Sequence, residues 1–286
     1  MARSEGTAVV EVPVLDKGFV RLVDVMGDDN AIVQAARVSY GEGTKTVRED
    51  AALIDYLMRH EHWSPFEMVE FKFHVKAPIF VARQWFRHRT ASVNEISGRY
   101  SLMREEFYVP DQADWRFQSP TNKQGSEGSL MEVDDRAASL ALQGYLARVK
   151  QSYEGYRLLL DLGVAREQAR MVLPLSLYTE FYWKQDLRNL LHFIRLRSDP
   201  HAQKEIREYA LAIAEIVKSV VPLSWSSFEN HHLKGVRLSG DEVSAIRSLL
   251  DRGSVEEALK GAGLSQSRVR EALEKLFGSD RGCLDK

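Results

Sequence analysis

The chain has 286 residues, with 39 Lys and Arg against 41 Asp and Glu for a net charge of −2, and it is 44% hydrophobic and 28% charged. That composition excludes disorder, collagen-like sequence and low complexity. A chain of this length buries roughly 75% of its unfolded surface and needs no disulfide or metal staple; its one cysteine, Cys283, excludes an internal disulfide framework and a Cys-rich metal site.

Met1 to Val14 lack the basic and then apolar pattern of a signal peptide. No run of about 18 apolar residues is present to span a bilayer, so a cytoplasmic protein is expected. Near-neutral charge gives no support to wholesale nucleic-acid binding. Phe19 to Val25 reads as a strand, and Asp28 to Val38 and Val47 to His60 as helices, the second with Ala51, Ile54, Leu57 and Met58 at helical spacing. Val69 to Val75 alternates, with Val69, Phe71, Phe73 and Val75 on one face and Glu70, Lys72 and His74 on the other, which predicts a half-buried strand. Pro78 opens a helix to about His88. Asp111 to Ser129, with Pro120, Gly125 and Gly128, reads as a surface insertion or linker.

A long helix is expected over about Leu130 to Leu162, and a shorter one from Ala165 that stops before Pro174. Leu175 to Trp183 is aromatic and β-branched enough for a strand, with helix as the alternative. Leu187, Leu190, Leu191 and Ile194 mark a helix over Asp186 to Leu196, and Ala202 to Val220 is another amphipathic helix. From Leu238 the chain changes character: Asp241 to Leu250, Val255 to Gly261 and Ser265 to Phe277 predict three short helices broken at Gly253 and Gly263. A helix-turn-helix around Leu259, Gly263 and Val269 is weaker than the commoner reading, a glycine turn between amphipathic helices. The expected class is α/β (mixed α+β), with residues 1–235 as one domain and 236–286 as a small helical appendage.

The densest chemistry lies between Arg83 and Ser101, where four arginines and one histidine face one acid, Glu95. A guanidinium binds phosphate through a fork of two hydrogen bonds, so clustered arginines suit a phosphorylated ligand. Thr90, Ser92, Asn94, Glu95 and Ser97 offer hydrogen bonds to a heterocycle, and Gly98 permits close approach. The competing reading is a solvated basic surface, which charge alone favours. A second cluster places Arg188, His192 and Arg195 on one helical stripe, with Arg197 and His201 following; basic residues near a helix C-terminus explain it equally. Arg170, beside the apolar run Met171, Val172, Leu173, Pro174, is expected to be partly buried and to want an anionic partner.

His60–His62 and His231–His232 lack an H-E-x-x-H frame, so no metal site is assigned. Also absent are the G-x-S-x-G elbow, the P-loop and the G-x-G-x-x-G dinucleotide fingerprint. A nucleic-acid-binding protein or a histidine-based metallohydrolase would be the alternatives from other classes.

Arg87-His88-Arg89, seven intervening residues and Ser97 reproduce R-H-R-x7-S, the signature of flavin-dependent thymidylate synthases. The surrounding block from Phe73 to Ser101 resembles that family. So do L-D-K-G-F-V-R-L-V-D-V-M-G from Leu15, L-P-L-S-L-Y-T-E-F-Y-W from Leu173 and L-R-S-D-P-H-A-Q-K-E-I-R from Leu196. The resemblance runs in order from about Leu15 to Val220, and the tail after about Gly235 lies outside it.

The resemblance implies a sheet flanked by long helices. It implies reductive methylation of dUMP to dTMP, with methylenetetrahydrofolate as one-carbon donor, FAD as cofactor and NADPH as reductant, in a homotetramer with shared active sites. The lone Cys283 agrees with a route that needs no cysteine nucleophile. By similarity, Gln84, Trp85, Phe86, Arg87, Glu95, Ile96, Ser97, Gly98, Arg99, Arg170 and Arg197 bind dUMP, Arg197 being the catalytic residue that polarises the uracil. FAD is implied at Ser64, Arg87, His88, Arg89, Glu95, Arg188 and His192, with His62 and His201 as further positions near the flavin or the nucleotide. Ser97 has no evident base to activate it and reads as a ligand-positioning hydroxyl. Asp186 stands where some members have asparagine and is left off the flavin set.

Overall fold

The computed structural model describes residues 10–38 and 47–278; Cys283 lies outside them. The chain divides into two compact units, Met1–Lys234 and Gly235–Lys286.

In the first unit a five-stranded sheet has the order β1-β2-β3-β7-β4, antiparallel throughout. Its strands are β1 (Glu11–Val14), β2 (Gly18–Met26), β3 (Glu70–Pro78), β4 (Ser92–Glu95) and β7 (Tyr178–Asp186). The alternation of β3 and β7 explains their central place. Phe71, Phe73 and Val75 on one strand and Phe181, Trp183 and Gln185 on the other are buried, whereas Lys72, Tyr182 and Lys184 are exposed on the opposite face. The mixed α/β class expected from sequence holds, with a sheet surrounded by helices.

The buried face packs against α1 (Asp29–Arg37), α2 (Val47–Arg59), α3 (Ile79–Trp85), α7 (Leu187–Arg197), α8 (Lys204–Val220) and α9 (Pro222–Phe228). Trp85 sits at its centre, with ring centroids 5.4 Å from Phe181, 5.2 Å from Trp183 and 4.8 Å from Phe193. A smaller cluster joins Met103, Phe107, Val149, Tyr156 and Leu177 under α5 (Asp135–Asp161).

Several elements depart from expectation. The long helix from Leu130 breaks at Asp134. A short turn, α4 (Leu130–Val133), precedes α5, and the Asp134 side chain accepts from the Ala137 N–H as its N-cap. The expected helix before Pro174 is only α6 (Arg166–Ala169) and a 3-10 turn over Arg170–Val172. Within the 111–129 insertion, β5 (Phe117–Gln118) and β6 (Ser126–Glu127) form a small hairpin.

In the second unit α10 (Gly240–Arg247), α11 (Arg252–Gly261) and α12 (Gln266–Phe277) stand where three helices are expected, but Gly253 lies inside α11 and the first break falls at residues 248–251. Ser239 and Glu242 form a capping box on α10, and Val269 and Leu273 of α12 are buried.

Candidate active site

The site begins with α7, which Asp186 caps: its carboxylate accepts from the Asn189 backbone N–H at 2.9 Å and from the Asn189 amide at 2.7 Å. Leu187, Leu190, Leu191 and Ile194 hold the helix to the core and leave His192 on the open side. Arg197 is its last residue, at the negative end of the helix dipole.

Opposite Arg197 lies the Arg87-His88-Arg89 loop. The helix expected to reach His88 ends at Trp85. Phe86 turns out of helical geometry with its ring 5.0 Å from Phe181, and His88 N–H closes the turn on the Trp85 carbonyl at 3.0 Å. Gln84 and His88 therefore do not share a helical face; the turn points His88 at α7 instead. There Arg197 Nε donates to His88 Nε2 at 3.0 Å, and Arg197 Nη2 donates to the Gln84 carbonyl at 3.5 Å.

This geometry sets the charge state. Burial, then Arg197 and His192, lower the His88 pKa to about 4. The imidazole is neutral near pH 7, and because Nε2 accepts from a guanidinium, its proton resides on Nδ1. His192 is lowered as well, by burial first and then by Arg195, Arg188 and Arg197.

A cavity of about 370 Å³ opens here, lined by Arg87, His88, Arg89, His192 and Arg197 together with Thr90, Gln185, Asn189 and Leu196. Gln185 is a lining residue that the sequence reading missed. It is 3% exposed, faces the core side of β7, and its Nε2 has no hydrogen-bond partner among the described residues. An amide in register with Phe181 and Trp183, where an apolar residue belongs, is the signal that marks it.

The other anticipated residues gather elsewhere. Glu95 ends β4, where its Oε1 accepts from Thr179 Oγ1 at 2.6 Å, and Ile96 N–H bonds to the Glu180 carbonyl. Ser97 Oγ accepts from the Arg99 N–H at 3.2 Å, while its carbonyl accepts from Tyr100 and Ser101 N–H, so Ser97 organises a tight turn. A Cβ at Gly98 would lie 3.2 Å from Arg170 Cδ and 3.2 Å from Met103 Sδ, so glycine lets Arg170 lie over the turn. Arg99 pairs with Glu167 at 3.2 Å.

Three expectations change. Arg170 is exposed, since the burial at this point falls on its neighbour Ala169. Trp85 places its indole in the core, so only its backbone borders the site. His201, bonded to Asp199 at 2.9 Å, lines a different cavity beyond α7. Ser64 is exposed at the start of a 3-10 turn, Ser64–Met68, whose Pro65 and Phe66 are buried, and Glu67 of that turn pairs with Arg188. His62 is exposed, with its ring 5.8 Å from Tyr56.

Residues 21–223 match the thymidylate synthase complementing protein family, Thy1. A flavin-dependent thymidylate synthase of Thermus thermophilus is 68% identical over 268 residues, covering 93% of this chain and 96% of its own. One of Treponema denticola is 56% identical over 266 residues, covering 93% and 97%. Among solved structures, a UMP/dUMP methylase, PolB from Streptomyces cacaoi bound with 5-Br dUMP, is similar at a TM-score of 0.69 and 34% identity. That similarity covers 77% of this chain and 98% of that one. Because the Thermus match takes in 93% of the chain, it runs past residue 235 into the helical tail. The tail, placed outside the resemblance on sequence, is shared with this relative although the family match ends at residue 223. The chain belongs to the flavin-dependent thymidylate synthase family, an enzyme family.

Proposed function

We propose that the chain catalyses reductive methylation of dUMP to dTMP, with methylenetetrahydrofolate as one-carbon donor and FAD and NADPH as the hydride source, and with no cysteine nucleophile. One observation carries the proposal: a guanidinium, Arg197, aimed by a neutral histidine within a cavity of cationic and amide side chains. A cation fixed in this way stabilises negative charge developing on a uracil oxygen without reorganising when the charge appears.

The lining of the cavity also suits part of a flavin dinucleotide, which at this volume would extend beyond it. Arg87 and Arg89 suit its phosphates, and the orphaned Gln185 amide is a buried donor that an acceptor on a bound heterocycle would satisfy. Bound flavin supplies the hydride. Arg87, His88, Arg89 and His192 line this cavity, and Ser64 and Arg188, the latter paired with Glu67 of the turn that Ser64 opens, would extend the flavin set beyond it. Glu95, Ser97, Gly98, Arg99 and Arg170 hold the nucleotide. Ser97 serves as a positioning hydroxyl: its Oγ accepts from Arg99 N–H, and no base among the described residues is bonded to it.

Of the anticipated dUMP residues, Arg87 and Arg197 line the cavity, whereas the turn from Glu95 to Arg99 and Arg170 do not. Apposition of one subunit's cavity to another subunit's turn would complete each site, as in the cytoplasmic homotetramer with shared active sites that belongs to this proposal. Residues 1–235 would then be the catalytic domain and 236–286 an appended helical element.

The test is tritium release from dUMP labelled at carbon 5 of the uracil, with FAD, NADPH and methylenetetrahydrofolate supplied. Release that requires folate and NADPH, with dTMP as product, is the expected result. A folded, flavin-loaded protein that releases no tritium would refute the assignment.

A further inference from the structure

A cavity larger than the one beside Arg197 lies elsewhere in the first unit. A space of about 610 Å³ lies between the 112–128 insertion and the start of α8, within the size range of small-molecule sites. Its outer wall is a built structure. Gln118 Nε2 donates to the carbonyls of Asn122, Lys123 and Gly125, Ser119 Oγ donates to Glu127, and Asn122 and Gly125 close the hairpin through backbone bonds. Two ion pairs then clamp the insertion to the first turn of α8: Arg116 to the buried Glu205 at 3.2 Å, and Lys204 to Asp114. An insertion this ordered, clamped at its base, holds a space open instead of filling it.

The lining is rich in donors. Arg207 brings a cation outside the two clamps, Arg116 and Lys204 bring the N–H donors that Glu205 and Asp114 leave over, and Thr121, Asn122 and Gln124 bring hydroxyl and amide groups, beside the lining carboxylate Glu127, which already accepts from Ser119. Arg207 is tied to the Pro200 carbonyl at 2.7 Å, which leaves its remaining N–H donors to other acceptors. Such a surface complements a ligand dense in anionic oxygens. It also adjoins the candidate active site, because Gln203 on its rim hydrogen-bonds to Gln84, whose carbonyl receives Arg197.

We propose that this cavity is a second anion site that takes the phosphate or carboxylate end of a co-substrate while its reactive end enters the site beside Arg197. The proposal rests on the function assigned above and adds to it a recognition element supplied by the insertion. Two sources share the chemistry: the 2′-phosphate of NADPH and the glutamyl carboxylates of the folate.

The experiment uses the flavin-loaded enzyme with dUMP at saturation, as wild type and as Arg207→Ala and Gln124→Glu. The second variant places an acid on the exposed hairpin and breaks no clamp. Inorganic phosphate is titrated in and followed by 31P line broadening, and KM is measured for NADPH, NADH, and mono- and triglutamyl methylenetetrahydrofolate. Both variants should lose the phosphate signal and raise one co-substrate KM about tenfold, equivalent to about 1.4 kcal/mol, with the dUMP dissociation constant unmoved. Loss of discrimination between NADPH and NADH assigns the site to the nicotinamide phosphate; loss of discrimination between glutamyl lengths assigns it to the folate. Unchanged phosphate broadening and unchanged co-substrate KM values in both variants overturn the proposal and leave the functional assignment standing. If the wild type makes no dTMP, that assignment fails, and the phosphate titration by itself still decides whether the cavity binds anions.

Discussion

His88 and Arg197 are 109 residues apart in the chain, and the bond between them fixes the protonation of one and the direction of the other. Two predictions belong to this pair. Replacing Arg197 with alanine should lower turnover by two or more orders of magnitude, since a donor aimed at developing charge is worth about 10²–10³ in rate, with flavin still bound. Loss of flavin absorbance in the purified variant would make Arg197 structural instead. The second concerns pH. The folded pKa of His88, about 4, lies below its unfolded value of 6.5, so between these values the unfolded chain binds the proton that the folded chain refuses. The contribution of His88 is therefore fully present above pH 6.5 and lost as pH falls through about 4, and stability rises with pH across that window. His88→Gln should flatten the rise of the urea midpoint between about pH 4.5 and 7. It should not abolish it, because His192 is shifted in the same direction. Equal slopes in variant and wild type would show that His88 is not held neutral by the fold.

At the scale of elements, what the sequence made legible was whatever carried its own period. β3 could be read from Phe71, Phe73 and Val75 because its two faces meet different solvents, and α7 from leucines at helical spacing. β1, β4 and α9 have four, four and seven residues, too few for a period to emerge; β1 exists as one arm of a hairpin with β2, whereas β4 and α9 are completed by something distant. α9 shows this best. It has no side-chain cap of its own, yet the carboxylate of Asp29 in α1 accepts from Leu223 N–H at 2.8 Å, Ser224 N–H at 3.0 Å and Ser224 Oγ at 2.6 Å. Nothing in local spacing links residue 29 to residue 224. The same limit hid the His88–Arg197 bond, whereas Gln185 is marked by its register with Phe181 and Trp183 and the R-H-R-x7-S motif exposed the loop they serve. Asp29→Ala strips a buried helix end of its acceptor and should cost about 3 kcal/mol, from the usual worth of hydrogen bonds to a charged group. Asp29→Asn, which keeps an acceptor, should cost less. Chemical denaturation of both variants checks this, and equal small losses would mean that water replaces the cap.

The whole molecule poses a question that one chain cannot answer alone, because the two groups of residues proposed to bind the nucleotide occupy different surfaces. Arg197 lines the cavity beside α7, while Arg170 lies over the Gly98 turn and takes no part in that lining. If a working site joins the cavity of one subunit to the turn of another, defects in the two groups are separable. Arg197→Ala and Arg170→Ala proteins should each be nearly inactive as pure assemblies. Co-expressed in equal amounts they form mixed oligomers, in which a cavity is intact with a chance of one half and the turn facing it is intact with a chance of one half. About one quarter of the sites then hold two undamaged halves, as follows from independent assortment across a symmetric interface. Thymidylate formation by the co-expressed protein should recover to about that fraction of wild type, and simple mixing of preformed pure assemblies should recover nothing until subunits exchange. A site completed within one chain gives no recovery in either experiment, since every subunit carries one defect. The separation of Arg170 from Arg197 would in that case have to be closed by a movement of the chain itself.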